Sequence, residues 1–453
     1  MSGSEGAGVA MGARTLDASS KPDGERMLRD LRRLREATAD ARGAQRVAWT
    51  DTWRTAQDLL RSELAALPVE ITTDAAGNIW ARLPGARPET VVIGSHLDSV
   101  PGGGWLDGAY GVMCALEVLR TLALEPERPC SVALVDWADE EGARFGRSLF
   151  GSAAAAGALE VDKVRHLVDR DGETLGDVVA RWGVTLDNLG SARAQLEPVV
   201  AYLEAHIEQG PVMERAGTPI AAVSGTAGVE RHRLTFTGQT AHSGTTPIDH
   251  RHDALVAASK TALAVRDTAS RHRGVGTVGV LHLEPGIPTA VPGEASMTVD
   301  LRHLDAPSLG AMRTEVLDAA GAAAANEGCR LTSEPLFRIE PRVFDPRLVE
   351  IVRGVCARLT ATEPMTLPSG ALHDATEMAA IIPTAMVFTS SSNGLSHTTV
   401  EDTPAEHLTL GLEAFYQVVT EVVTLVGRAG RALGGSGPAG VTDVGSDGTE
   451  AVS

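Results

Sequence analysis

Three short segments of this chain collect the residue types that hold cations and move protons. Ser95-His-Leu-Asp-Ser-Val-Pro-Gly-Gly-Gly-Trp-Leu-Asp-Gly-Ala-Tyr-Gly111 supplies one imidazole, His96, and two carboxylates, Asp98 and Asp107. Glu140 and Glu141 are adjacent acids in Trp137-Ala-Asp-Glu-Glu-Gly142. Side by side, such carboxylates repel unless a cation separates them or one stays protonated, so they read as a metal ligand beside a proton-transfer group. Asn393-Gly-Leu-Ser-His397 presents a second imidazole, and His206 a third. His96, Asp107, Glu141, His206 and His397 make a mixed nitrogen and oxygen set suited to Zn²⁺, Mn²⁺, Co²⁺ or Ni²⁺ rather than Ca²⁺ or copper. Five ligands suffice for two ions if one carboxylate bridges, an arrangement that activates a shared water for hydrolysis.

Each segment alone also suits a solvated turn. What favours a site is that each follows a strand pattern. Val91-Val92-Ile93-Gly94 is a β-branched apolar run of the kind that forms a buried parallel strand, and open α/β sheets take ligands beyond the carboxyl ends of such strands. Gly102 to Gly104 turn the backbone before Asp107, which opens a helical run from Gly108 to about Leu122. Cys130 to Asp136 is a second strand ahead of Glu140, and Thr384 to Thr389 another ahead of His397. Ala201 to Gly210 alternates, setting Glu204, His206 and Glu208 on one face and Leu203, Ala205 and Ile207 on the other. Upstream, Glu25 to Leu64 has helical spacing with a capping signal at Thr50 and Asp51, and residues 69–83 read as strand, turn, strand. The stretch from about 153 to 198 is mixed helix and loop. Its Asp169-Arg-Asp-Gly172 lacks the further spaced acids of a calcium loop and receives no chemistry.

At 453 residues the chain exceeds one ordinary core. The expected organisation is an α/β catalytic domain with a mostly parallel sheet, split as 25–227 and 336–428 around an insert at 228–335. Within the insert, Arg231 to Thr237 reads as a strand, Asp249 to about Ser270 as a helix, Gly276 to Leu283 and Ala295 to Arg302 as strands, about Ala306 to Ala325 as a helix and Arg330 to Ser333 as a short strand; this β-α-β-β-α-β order is the ferredoxin-like arrangement. Gly-, Ser- and Ala-rich tails at 1–24 and 429–453 are expected to be disordered. With 59 acidic and 40 basic residues the net charge is −19 and no basic stripe forms, which argues against nucleic acid. Cys114, Cys130, Cys329 and Cys356 show no CxxC pairing and read as reduced thiols. No leader pattern and no run of about 20 apolar residues is evident, so no membrane association and a cytoplasmic location are expected.

Eight stretches carry a resemblance. They are Gly94-Ser-His-Leu-Asp-Ser-Val-Pro101, Leu106-Asp-Gly-Ala-Tyr-Gly-Val112, Glu140-Glu-Gly-Ala-Arg-Phe145, His206-Ile-Glu-Gln-Gly-Pro211, Gly238-Gln-Thr-Ala-His-Ser-Gly-Thr-Thr-Pro247, Asp300-Leu-Arg302, Ser369-Gly-Ala-Leu-His-Asp374 and Gly394-Leu-Ser-His397. In this order they resemble the hydantoinase/carbamoylase-type amidohydrolase branch of the dinuclear zinc aminoacylase/carboxypeptidase superfamily. That group includes N-carbamoyl-L-amino acid hydrolases, bacterial β-ureidopropionases and allantoate amidohydrolases.

The resemblance implies two divalent metal ions per subunit, bridged by Asp107, with His96 and His206 on one and Glu141 and His397 on the other. It implies that Asp98 orients His96. Glu140 would be the general base that takes a proton from the attacking water and passes it to the leaving nitrogen. His242, on a lid formed by the insert, would stabilise the oxyanion from the partner subunit, which requires a homodimer. Gln209 and Arg302 would hold a small ureido or amide substrate by its carboxylate, with Thr289, Gly370 and Leu372 completing the pocket. The implied reaction is hydrolysis of a linear C–N bond, foremost in an N-carbamoyl-L-amino acid or allantoate-like acid, releasing ammonia and carbon dioxide. N-acyl-amino acid or dipeptide hydrolysis is the alternative, and an inactive dimeric binding protein a remote one. This chain departs from the pattern in three places. Thr289 stands where an asparagine is usual, Leu372 where a glycine is usual, and Trp105-Leu106 where a basic-aromatic pair precedes the bridging acid.

Overall fold

The computed structural model describes residues 21–429, so the tail residues 1–20 and 430–453 lie outside it. Its centre is a nine-stranded sheet. Thr90–His96 lies between Ser131–Trp137 and Val199–Ile207, and Thr384–Thr389 follows on the far side of Val199–Ile207; all three of these pairings are parallel. Antiparallel strands flank this block. Ile79–Leu83 and Glu70–Thr73 extend it beyond Ser131–Trp137, and Ile220–Thr226 extends it beyond Thr384–Thr389.

The parallel strands are apolar on both faces because both are covered. Val91, Ile93, Val132 and Leu134 belong to one core, with the helices Gly24–Thr38, Asp51–Leu64, Ala109–Ala123, Pro346–Thr360 and Ala405–Ala429. Val92, Ala133 and Val135 belong to the opposite core, with Trp49, Trp53, Phe150 and Val178. The apolar length of Ala405–Ala429 is spent on the first core, where Leu412, Phe415, Val419 and Val423 are buried. The expected tail gives way earlier than its composition suggests, since Asp23 caps the helix that opens at Gly24 and accepts the Arg26 N–H at 2.9 Å.

The chain leaves this sheet at Thr226 and rejoins it at Arg342, which pairs back to Thr226. Between them lies a four-stranded antiparallel sheet in the order Val275–Glu284, Glu294–His303, Gly228–Thr237, Arg330–Ile339. The helices Ala254–His272 and Ala306–Asn326 cover one face, burying Leu234, Phe236, Met297, Val299 and Leu301. Along the chain this is strand, helix, strand, strand, helix, strand.

Several element boundaries differ from expectation. Ile220–Thr226 was not anticipated; its Ala, Ser and Gly content lacks the β-branched alternation that marks a strand. Arg330–Ile339 is ten residues long rather than four. Pro335 masks it, and is tolerated because this is an edge strand with an irregularity between Pro335 and Phe337. The helix expected from Asp249 begins at Ala254 and ends at His272, capped by Asp253, which accepts the Leu255 and Val256 N–H groups. Val199–Ile207 is buried apart from half-buried Val200, so the polar face holding Glu204 and His206 forms an interior layer rather than a wet surface.

Candidate active site

Every strand of the parallel block delivers chemistry at its carboxyl end. His96 ends its strand, and Asp98 follows with both carboxylate oxygens committed. Oδ1 accepts the Glu140 N–H and Oδ2 the Glu141 N–H, each at 3.1 Å. Asp98 thereby ties the mouth of one strand to the turn beyond the next. Its backbone carbonyl lies 3.1 Å from His96 Nδ1 and its carboxylate 3.5 Å away, so the expected orienting role is shared between the two. His96 Nε2 is left facing Glu140 at 3.7 Å and Asp107 at 4.0 Å.

His206 donates from Nδ1 to the Ile207 carbonyl at 2.8 Å, which fixes the tautomer and turns Nε2 toward Asp107 Oδ1 at 3.2 Å. His397 Nε2 lies 3.1 Å from Asp107 Oδ2 and 3.4 Å from Glu141. Two triads of converging donor atoms result, His96, Asp107 and His206, and Asp107, Glu141 and His397. Asp107 belongs to both and offers one oxygen to each. Gly108 makes this approach possible: it has φ +63, and a Cβ there would sit 2.3 Å from the His96 ring. His397, Gln209 and Asp139 also hold positive φ, concentrating backbone strain in the turns around the cluster.

The electrostatics follow from burial. Glu140 and Glu141 are withdrawn from water beside like charges; burial pushes Glu140 well up and Glu141 to about 7. Burial also raises Asp136 and Asp139 to about 8. Hydrogen bonding to Asp107 raises His397 to about 9. The cluster thus retains protons between facing donor atoms, and divalent ions displace such protons on binding. Among the described residues the buried Glu141 Oε1 has no hydrogen-bond partner, a free lone pair within one triad. Imidazole and carboxylate donors, a carboxylate shared by both triads and this spare oxygen fit bound divalent metal.

A third group, Glu204, His206 and His373, also converges. Its donors are already spoken for. Glu204 accepts from Ser95, Tyr202 and the Ala375 N–H at 2.8, 3.1 and 3.1 Å, and His373 Nε2 meets Ser369 Oγ at 2.8 Å. The His373 ring packs on His206 at 4.4 Å and buttresses it.

The remaining expected residues divide. Gln209 lies against Asp107, its Nε2 donating to Oδ2 at 2.8 Å, with Oε1 unpaired among the described residues. Arg302 reaches across from the inserted sheet and donates to the Gly370 carbonyl at 3.1 Å. Leu372 is half-buried next to His373. His242 and Thr289 are not joined to the cluster: His242 is exposed, pairs with Ala290 in a short ribbon, and accepts the Gly244 N–H at Nδ1 at 3.0 Å. Thr289 accepts the Ser243 N–H beside it, so these two share one tip of the insert. Trp105 packs under Arg35 at 5.4 Å, outside the donor cluster, while Leu106 is buried in the core.

Three contributions escaped the sequence. Glu401 is buried and accepts the Leu106 and Asp107 N–H groups and the Ser396 hydroxyl, clasping the Asp107 turn to the His397 turn. In sequence it is one acid in an ordinary-looking turn beside the exposed Asp402. Arg46 is fully buried, donates from Nε to the Leu97 carbonyl at 2.7 Å, and among the described residues both its terminal nitrogens are unpaired, near the acidic cluster. The Asp169 loop, which received no chemistry, braces Arg144 of the Glu140 turn: Arg144 donates to Asp169 at 2.9 Å and to the Trp49 carbonyl at 2.8 Å.

Fold and site together define a metal-dependent hydrolase built on an α/β sheet. The chain matches Peptidase family M20/M25/M40 over residues 92–421 and belongs to that family. It is 34% identical to an N-carbamoyl-L-amino acid amidohydrolase of Geobacillus stearothermophilus, over 88% of this chain and 98% of that protein. It is 33% identical to an allantoate amidohydrolase of Escherichia coli K12, over 82% of this chain and 91% of that protein. Among solved structures, a hydantoinase/carbamoylase family amidase from Burkholderia vietnamiensis superposes with a TM-score of 0.80 at 34% identity, covering 90% of this chain and 98% of that one.

Proposed function

We propose that the protein hydrolyses the ureido C–N bond of an N-carbamoyl-L-amino acid or an allantoate-like ureido acid. Water adds to the carbonyl carbon, the C–N bond breaks, and the products are the free amine, ammonia and carbon dioxide. The observation that carries this reading is the pair of donor triads sharing Asp107 with Glu140 beside them, in a chain a third identical to amidohydrolases of these two kinds over most of its length.

On this reading His96 and His206 would hold one divalent ion and Glu141 and His397 a second, with Asp107 contributing to both. The ions, when bound, polarise the substrate carbonyl and lower the pKa of water. Glu140 lies 3.7 Å from His96 Nε2, at the edge of the donor cluster. It takes the proton released as water attacks and returns it to the departing nitrogen, which makes the amine a competent leaving group. Burial, which raises its proton affinity, suits a group that must accept and then donate. Arg302 holds the carboxylate, and Gln209 fixes the Asp107 oxygen that faces His397.

The insert acts as a lid and as the contact of a homodimer. His242 projects Nε2–H outward because Nδ1 accepts from the Gly244 and Thr245 N–H groups, which suits a donor to the oxyanion of a neighbouring subunit's substrate. The outer strand Val275–Glu284 leaves Val275, Val280 and Leu281 exposed at a sheet edge that no described strand pairs with, the kind of edge a second copy covers. Free Cys114, Cys130, Cys329 and Cys356 suit the reducing cytoplasm. The test is ammonia release by chelated protein reloaded with Mn²⁺, Co²⁺, Ni²⁺ or Zn²⁺, offered N-carbamoyl-L-amino acids and allantoate. Metal-dependent release is expected; release of acid from N-acyl-amino acids alone would replace this reading.

A further inference from the structure

On the face of the inserted sheet opposite its two helices, Asp300 is shared between two arginines. Arg231 stands directly across from it in register and donates from Nε and Nη2 to Oδ2 at 3.0 and 2.7 Å. Arg302, two residues along the same strand and on the same face, donates from Nε to Oδ1 at 2.9 Å. A cross-strand ion pair needs only one partner; here one carboxylate serves both.

This triad sits at the seam with the catalytic sheet. Arg302 donates from Nη1 to the Gly370 carbonyl. Arg231 packs toward Phe337 at 5.7 Å, and Arg147, from the turn after Glu140 and Glu141, approaches the same ring at 5.1 Å. With Nε held by Asp300 and Nη1 by Gly370, the Arg302 guanidinium has one orientation and presents Nη2. Arg231 has its Nε and Nη2 edge filled by Asp300. The triad carries two positive charges and one negative, a net of +1, which matches one substrate carboxylate. A second carboxylate would meet an arginine already neutralised and the Asp300 charge itself, a like-charge contact that selects against it.

We propose that Asp300 is a positioning residue of the substrate pocket, and that by dividing one carboxylate between Arg231 and Arg302 it restricts the enzyme to substrates bearing a single carboxylate. This rests on the reading of Arg302 as the carboxylate anchor of a ureido or amide hydrolase. Asp300 acts by aiming Arg302 and by subtracting one charge, not by touching the reacting atoms.

The experiment is steady-state kinetics of metal-loaded wild type and Asp300→Asn on two substrates, an N-carbamoyl-L-amino acid with an uncharged side chain and N-carbamoyl-L-aspartate. In Asp300→Asn the KM for the first rises about tenfold or more, the scale of a lost charged hydrogen bond, while kcat changes little. The ratio of kcat/KM for the dicarboxylate to that for the monocarboxylate rises by about as much, because a second cation is released. Arg231→Gln separates the two effects: it also raises KM for the monocarboxylate but does not raise the ratio. An equal loss on both substrates in Asp300→Asn, with KM unchanged, would overturn the proposal, as would an unchanged KM in Arg231→Gln should Asp300→Asn fail to fold. If wild type turns over neither substrate, the activity reading falls, and calorimetric binding of the same two ligands decides the present point: preference for the monocarboxylate, reversed in Asp300→Asn, supports it, and equal binding overturns it.

Discussion

Glu401 accepts the Asp107 N–H at 3.1 Å through the same oxygen that takes the Leu106 N–H at 2.9 Å. Its other oxygen takes the Ser396 hydroxyl at 2.6 Å, so one buried side chain sets the spacing between the carboxylate shared by both triads and the turn that carries His397. Gly104 permits this, since a Cβ there would lie 1.9 Å from the Glu401 carboxyl carbon. Outer partners of metal ligands are worth about 10–100-fold in metal affinity. Glu401→Ala should therefore weaken metal binding by about that factor at the triad of Asp107, Glu141 and His397, whose turn it also clasps, and by less at the triad of His96, Asp107 and His206, which it touches only through Asp107. Metal titration of chelated protein followed by elemental analysis checks this; uniform loss of all bound metal would assign Glu401 to folding instead.

In the proposed reaction Glu140 serves proton transfer and not metal holding. Glu140→Gln preserves shape and backbone contacts to Asp98 but removes the proton acceptor. Turnover should fall by about 10² to 10⁴ with metal content unchanged. Retained turnover at full metal loading would remove Glu140 from the proton-transfer role.

Gly108 tests the packing around His96. It is strained for any other residue by its φ of +63, and a Cβ would enter the His96 ring at 2.3 Å. Gly108→Ala should lose about 1–3 kcal/mol of stability and shift the imidazole, costing metal at the triad of His96, Asp107 and His206. A thermal melt and a metal count are the readouts, and a variant with wild-type values for both would show that the turn yields.

The converging donor set was legible because each donor is a rare type at a fixed place, the end of a β-branched run. His96, Glu141 and His397 could be read this way, and Asp107 through the glycines before it. What could not be read was company. Period two gave His206 a polar face, but only the position of Val199–Ile207 between two parallel neighbours makes that face interior. Glu401 and Asp402 are alike in sequence, and folding buries one and exposes the other. The pairing of Asp300 with Arg231 spans 69 residues and exists only through strand register. Arg330–Ile339 was read short because Pro335 signals a break that an edge strand can absorb.

Asp345 gives a pH-dependent test away from the metal cluster. It caps the helix Pro346–Thr360, its Oδ1 accepting the Arg347 and Leu348 N–H groups at 2.9 and 3.3 Å, while the Arg347 guanidinium reaches Oδ2 at 2.8 Å. Partial burial alone would raise this carboxyl, but the hydrogen bonds from Arg347 and the helix N-terminus outweigh it and hold it below its usual value. A group whose pKa is lower folded than unfolded contributes stability that is complete above the unfolded value, about 3.9 for Asp, and is lost as pH falls through the folded value. Asp345→Ala should therefore cost about 1 kcal/mol near neutral pH, the usual worth of such a cap. The gap from wild type should narrow as pH falls below about 4. Asp345→Asn keeps the capping oxygen without the charge and should lie between the two near pH 7, converging on wild type in acid. Denaturant midpoints of the three proteins at pH 7 and toward pH 3.5 read this directly, and a gap that stays constant with pH would assign the effect to packing rather than to the charged cap.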